Sequence, residues 1–173
     1  MIIRKAVKED IEVIDTFFDI GRAYMRAHGN MTQWAGVYPD HEDSLAHFEK
    51  NELYVGVADE EDIKGGADMK IGEVGMCFAL CLGEDSCYGY IEGGKWLDNS
   101  PYATIHMLVS GGKLHNCFEA AVEYSKGINK HLRIDTHRDN EIMNRKSLKC
   151  GFKRCGVVYM VDGSPREAYE YIE

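Results

Sequence analysis

The sequence predicts one α/β domain built on a mixed sheet. Three observations carry this. Strand-like and helix-like apolar spacings alternate along the chain, three strand patterns run together in its middle, and two strand patterns joined by the turn "DGSP" close it. With 173 residues the chain is long enough for one full core and too short for two ordinary domains. No internal linker or repeat interrupts it, so residues 1–173 are expected to form a single domain.

The elements follow in order. "IIRKAV" reads as a short strand. Ile11, Ile14, Phe17, Phe18, Gly21, Tyr24 and Met25 then recur at helical spacing, a long amphipathic helix that fades near His28. "HGNMTQWAGVYPD" breaks it with Gly, Asn and Pro, and "HEDSLAHFEKN" is a second, shorter helix. "ELYVGVA" and "EVGMCFALCLGED" are strands on either side of the acidic connection "DEEDIKGGADMKIG". After the connection "YIEGGKWLDNSPY" comes the strongly apolar strand "ATIHMLVS". "GGKLHNCFEAAVEYSKG" is a Gly-led helix with Leu114, Cys117, Phe118, Ala121, Val122 and Ser125 as its buried stripe. "LRIDT" is a strand and "NEIMNRKSLKC" a helix, with Gly151 suited to its left-handed C-terminal position. "FKRCGVVYM" and "REAYEYI" are the closing strands.

Net charge is −9, and no basic stripe is present, which argues against nucleic acid as a partner. No apolar run reaches spanning length, so no membrane association is expected. "MIIRKAVKED" lacks the apolar region of a signal peptide, and the expected compartment is the cytoplasm. The six cysteines form no CxxC pair; they read as buried reduced thiols, and no metal site is expected.

Two places carry unusual chemistry. Strand "ATIHMLVS" runs into "GGKLHN" and a helix, where glycines turn the backbone and the first N–H groups of the helix attract anions, with Lys113 adding a charge. This pattern suits a pyrophosphate, although it matches neither GxGxxG nor the Walker sequence and also serves as an ordinary strand-to-helix turn. The second place is "LRIDTHRDNEIMN", which packs six polar residues into the crossing from a strand to a helix. In an α/β sheet, ligands bind outside the carboxyl ends of strands.

The segments "RIDTHRDNEIMNRKSLKCGFKRCGVVYMVDGSPREAYEY", "GNMTQWAGVYP" and "YIEGGKWLDNSPYATIH" resemble a bacterial subgroup of the GNAT acyltransferase superfamily, whose members transfer an acetyl group from acetyl-CoA to an amine. The resemblance covers nearly the whole chain apart from the acidic connection around Glu60 to Asp68. It implies a GNAT-like acyl-CoA N-acyltransferase fold, a mixed central sheet flanked by helices. It also implies acetyl-CoA as co-substrate and no metal. In that family the pantetheine arm runs along a strand that corresponds here to Met107, Leu108 and Val109. The pyrophosphate sits on the following loop, here Gly112, Lys113, Leu114, His115 and Asn116, and an Asn opening the next helix, here Asn140, contacts the pantetheine. The polar crossing at "DTHRDN" would then line one wall of the cofactor cleft. Two positions depart from the family pattern: Asn116 stands where subgroup relatives tend to have Gly, and Ser147 stands where many members place a Tyr that serves as acid for the departing thiolate.

Acetyl transfer needs a base for the amine proton, a donor for the carbonyl oxygen and a means of holding the reactants together. His106, on the cofactor-side strand, is the candidate base, set against a histidine paired to a sheet carbonyl. Tyr159 is a candidate donor or acid, set against a packed strand aromatic. Asp135 and His137 share a strand face and form either a relay or a tie to the next helix. Gln33, Trp34 and Tyr38 fall in the region that walls the acceptor in the superfamily, where aromatics suit a cationic amine; they serve equally to close the core. The expected activity is N-acetylation of a small amine, with an acyl-CoA-binding module without catalysis as the alternative. A homodimer, common in the superfamily, is left open as a partner.

Overall fold

In the computed structural model, which describes residues 1–36 and 38–173, the strands β1 (Ile2–Lys5), β2 (Leu53–Val57), β3 (Val74–Leu82), β4 (Ala103–Ser110), β5 (His131–Thr136), β6 (Lys153–Tyr159) and β7 (Pro165–Ile172) form a sheet in the order β1-β2-β3-β4-β5-β7-β6. The pairs β1–β2, β2–β3, β5–β7 and β6–β7 are antiparallel, and β4–β5 is parallel with Ala103 opposite Leu132 and Thr104 opposite Arg133. The helices are α1 (Ile11–Ala27), α2 (His41–Glu49), α3 (Glu60–Lys64), α4 (Cys117–Ile128) and α5 (Glu141–Lys149). This mixed sheet flanked by helices is the expected architecture. One α-helix was not foreseen: α3 lies inside the acidic connection. It is five residues long with Ile63 as its one apolar residue, so it shows no periodicity, and Asp59 starts it by accepting hydrogen bonds from the Glu61 and Asp62 amides.

The chain divides into two compact units, residues 1–80 with 106–121, and residues 81–105 with 122–173. In the first unit, Ile14, Phe17 and Phe18 of α1 pack with Val55 of β2, Cys77 of β3, and Met107 and Val109 of β4. Tyr24, assigned by spacing to the same stripe, is half-exposed and stacks on His28 instead. A smaller cluster gathers Ala58, Ala67 and Leu114.

In the second unit, Tyr88, Tyr102, Val158 and Ala168 form the apolar cluster, and a buried charge network lies among the strands. Glu170 of β7 is 0% exposed and stands directly across from Arg133 of β5. Its carboxylate accepts hydrogen bonds from Arg133 Nε at 2.8 Å and the Leu97 amide, and pairs with His131 Nε2 at 2.6 Å. The Arg133 guanidinium lies over the rings of Trp96 and Tyr102, about 4 Å from each, and donates to the Asp98 carbonyl at 2.8 Å. The connection 93–101 is thereby bound to β5 and β7 without needing secondary structure of its own. Gly151, at φ 91°, follows α5 in the left-handed conformation that its sequence position predicts.

Removing one partner of a buried ion pair leaves the other as an uncompensated charge. Glu170→Gln should therefore lower the unfolding free energy by about 3–5 kcal/mol in urea denaturation. A loss under about 1 kcal/mol, the size of a surface pair, would show that the network contributes nothing special.

Candidate active site

The first unit holds the strand, loop and helix start that the sequence marked for a pyrophosphate. Along β4, Ile105, Met107 and Val109 are buried, while His106, Leu108 and Ser110 are half-buried, so the strand has one closed and one more open face. Met107 has φ 53°, in the left-handed region that side chains other than Gly enter only under constraint. The regular pleat therefore breaks one residue after His106, close to where the chain passes from one compact unit to the other.

The loop that follows is fixed at two points. The Gly111 amide donates to the Gly75 carbonyl at 2.9 Å, and Leu114 is buried against β3. A side chain on Gly75 would meet Leu114 Cδ1 at 2.5 Å, so Leu114 occupies space that only glycine leaves. Around this anchor Gly112, Lys113, His115 and Asn116 are all exposed. Gly112 and Asn116 have φ 83° and φ 56°. The subgroup's glycine at the Asn116 position thus meets a left-handed backbone, which Asn adopts more readily than other residues with a Cβ. The Asn116 carbonyl accepts from the Ala120 amide at 2.9 Å, and α4 begins one residue later with its first-turn N–H groups facing the loop end. Loop and helix start together offer backbone N–H groups and one lysine, the chemistry of an anion site.

The segment between α1 and α2 is also in this unit, and side chains of α1 hold it and the start of α2. Arg26 donates to the carbonyls of Asn30, Gln33 and Trp34 at 2.8–2.9 Å. Arg22 donates to the Pro39 carbonyl. Asp15 accepts from Ser44 Oγ at 2.8 Å and pairs with His41 Nδ1 at 2.6 Å. Gln33 is half-buried and accepts at Oε1 from Asn30 Nδ2 at 2.9 Å. Trp34, at φ 57°, packs edge-on against Phe18 with ring centroids 6.0 Å apart. A Cβ on Gly21 would meet both Val109 and the Trp34 ring, so these two predicted site residues converge at Gly21. Trp34 therefore does close the core, while Tyr38 is exposed.

The remaining predicted residues belong to the second unit. Asn140 caps α5, its Oδ1 accepting from the Met143 amide at 3.2 Å. Ser147 is fully buried and donates to the Met143 carbonyl at 2.7 Å, a bond within the helix that leaves it no part as an acid. Tyr159 lies 38% exposed on the edge strand β6, with β7 between it and β5. Its hydroxyl donates to the Glu92 carboxylate, which raises the phenol above its ordinary range. A phenol held this way is a poor proton donor, so these surroundings oppose the acid role expected for it.

The polar crossing separates into distinct tasks. Asp135 accepts from Tyr88 OH at 2.7 Å, and burial together with this carboxylate pushes the tyrosine well up. His137 Nδ1 accepts from the Asp139 amide at 3.2 Å, and burial lowers its pKa. Asp135 and His137 thus make separate contacts, and Arg133 is engaged with Glu170. Burial also pushes Cys155 up to about 11 and Cys77 higher still, so neither thiol is poised as a nucleophile.

A seven-stranded mixed sheet in this order, with a strand, glycine loop and helix start of this kind, defines the GNAT acetyltransferase fold. Among solved structures the chain is similar to a GNAT-family acetyltransferase from Streptococcus agalactiae at 27% identity and TM-score 0.79, covering 99% of this chain and 95% of that one. It is also similar to a GNAT-family acetyltransferase from Listeria monocytogenes at 15% identity and TM-score 0.64, covering 98% and 92%. An N-acetyltransferase from Staphylococcus aureus matches at 18% identity and TM-score 0.58, covering 99% and 97%. The last two bear on the fold alone. No family model matches the chain, and no curated protein matches it in sequence. Among the described residues no helix is long and apolar enough to cross a membrane.

The His41–Asp15 contact has a pH signature. The neighbouring carboxylate raises the His41 pKa above 6.5. A raised folded-state pKa contributes stability that is fully present below the unfolded value and is lost as pH rises through the folded one. The melting temperature of the wild type should therefore exceed that of His41→Gln below the ordinary histidine pKa of about 6.5, and the gap should close only as pH rises through the raised folded-state value. A gap that stays constant across this window would contradict the ion pair.

Proposed function

We propose that this protein transfers the acetyl group of acetyl-CoA to the nitrogen of a small amine. The observation that carries the reading is the left-handed break at Met107 followed by the anchored loop 111–116 and the start of α4, supported by whole-length similarity to GNAT-family acetyltransferases. The backbone of Met107, Leu108 and Val109 is assigned to the pantetheine. Gly112, Lys113, Leu114, His115 and Asn116 are assigned to the pyrophosphate, mainly through backbone N–H groups and the Lys113 charge. The resemblance also assigns Asn140 to the pantetheine, in addition to its role as the cap of α5.

The chemistry needs few groups. The neutral amine attacks the thioester carbonyl carbon and forms a C–N bond. The C–S bond then breaks, and CoA leaves as thiolate. A thiol with a pKa of about 8.5 makes that anion a fair leaving group, so the lack of a tyrosine at Ser147 removes nothing indispensable. His106, on the more open face of β4 and next to the break, is assigned as the base that takes the amine proton, directly or through one water. Gln33, Trp34 and Tyr38 are assigned to the acceptor side.

Two measurements test this. Lys113→Ala should weaken acetyl-CoA binding in calorimetry by about 1–3 kcal/mol, the worth of a charge-assisted hydrogen bond; an unchanged dissociation constant at low salt removes Lys113 from the site. In thiol-release assays with lysine, spermidine and a short peptide as acceptors, His106→Ala and His106→Gln should both slow turnover about 10²–10⁴-fold with acetyl-CoA affinity nearly intact. Full turnover in both variants places the base elsewhere, and binding of acetyl-CoA without thiol release in the wild type sinks the catalytic reading.

A further inference from the structure

We propose that Arg26 is a positioning residue for the acceptor amine, acting through the backbone of Gln33 and Trp34; this rests on the acceptor assignment above. Arg26 sits in the last turn of α1 and is half-buried. Its Nη1 donates to the Asn30 carbonyl at 2.8 Å and the Gln33 carbonyl at 2.9 Å, and its Nη2 donates to the Trp34 carbonyl at 2.9 Å. One planar guanidinium thus gathers three carbonyls from a segment outside helix and strand. This is where a chain needs partners from elsewhere for its backbone. Lysine cannot do the same, since its compact ammonium lacks the rigid fork that reaches separated acceptors at once.

What the fork fixes is an unfavourable shape. Trp34 is held at φ 57°, a conformation that a residue with a large side chain leaves unless its surroundings over-determine it. The surroundings are Arg26 on its carbonyl, and Phe18 and the space left by Gly21 at its ring. The ring and Val109, a strand residue assigned to the pantetheine, both close over Gly21 and belong to one apolar cluster, so a shift of the Trp34 backbone moves the acceptor wall relative to the strand assigned to the cofactor. Gln33, held through its carbonyl, has its amide ordered by Asn30 Oδ1 at 3.2 Å. Asn30 is buried, so the loop has a polar interior that Arg26 closes. The other end of the segment is bound separately by Arg22, and Asp15 ties α1 to His41 and Ser44 of α2, so losing Arg26 should loosen one end and leave the helix pair together.

The test combines kinetics with a resonance that needs no substrate. The chain has two tryptophans, and the Trp96 indole N–H is bonded to the Tyr88 carbonyl at 2.9 Å in the second unit, an internal reference. In nitrogen–proton correlation spectra of Arg26→Lys and Arg26→Gln, the Trp34 indole signal should shift or broaden while that of Trp96 stays in place, which also reports that the variants are folded. With acetyl-CoA and the best acceptor among lysine, spermidine and a short peptide, KM for the amine should rise roughly 10- to 100-fold, the scale of a small misplacement, and KM for acetyl-CoA should change less than about twofold. Lysine should not rescue. A Trp34 signal unmoved in an active variant, or equal rises in both KM values, overturns the role of Arg26. Absence of thiol release from the wild type with every acceptor overturns the acceptor assignment itself, whatever the spectra show.

Discussion

Leu114 sits where Gly75 has no side chain, and the Gly111 amide bonds to the carbonyl of that same glycine. This pair of contacts decides where β4 ends, which way the chain turns and where α4 begins. Burying one leucine of the loop leaves its neighbours Gly112, Lys113, His115 and Asn116 exposed, with two of them in left-handed conformations. An anchored loop that exposes its backbone is the geometry an anion needs, because the donors are ordered before the ligand arrives. The exposed loop backbone on which the proposed pyrophosphate site depends thus follows from an apolar contact.

The second unit is organised by a different force. Glu170 is fully buried and draws in Arg133, His131 and the Leu97 amide, and the guanidinium lies between two aromatic rings. Buried charges must be compensated almost completely, so this network sets the register of β5 on β7 and fixes the connection 93–101 at once. It takes up Arg133 of the polar crossing in "LRIDTHRDN", and the other residues have partners of their own. Arg133 turns inward to Glu170, Asp135 holds Tyr88, His137 braces the turn, and Asn140 caps α5.

The periodic parts of the fold were legible in the sequence. The apolar spacing from Ile11 to Phe18, the strand "ATIHMLVS" and the glycine after α5 each carry a local signal strong enough to read. The helix α3 has no such signal beyond its Asp59–Asp62 capping pair. The break at Met107 has none, since methionine does not announce a left-handed backbone. Asn116 gave half a signal, being a residue that tolerates the conformation where glycine is the alternative. Arg26 was invisible because its partners are main-chain carbonyls, which every residue has, and an arginine on a helix surface reads as a solvated charge. The task of Arg133 was hidden because its partner lies 37 residues away in the sequence.

In the proposed site, Met107 to Val109 and the loop to Asn116 carry acetyl-CoA. Amide hydrogen exchange with and without CoA tests it on the wild-type protein. Slowed exchange in a peptide spanning 107–119, with β6 and β7 unchanged, is the predicted result. Unaltered exchange across 107–119 at a CoA concentration that saturates binding would contradict it.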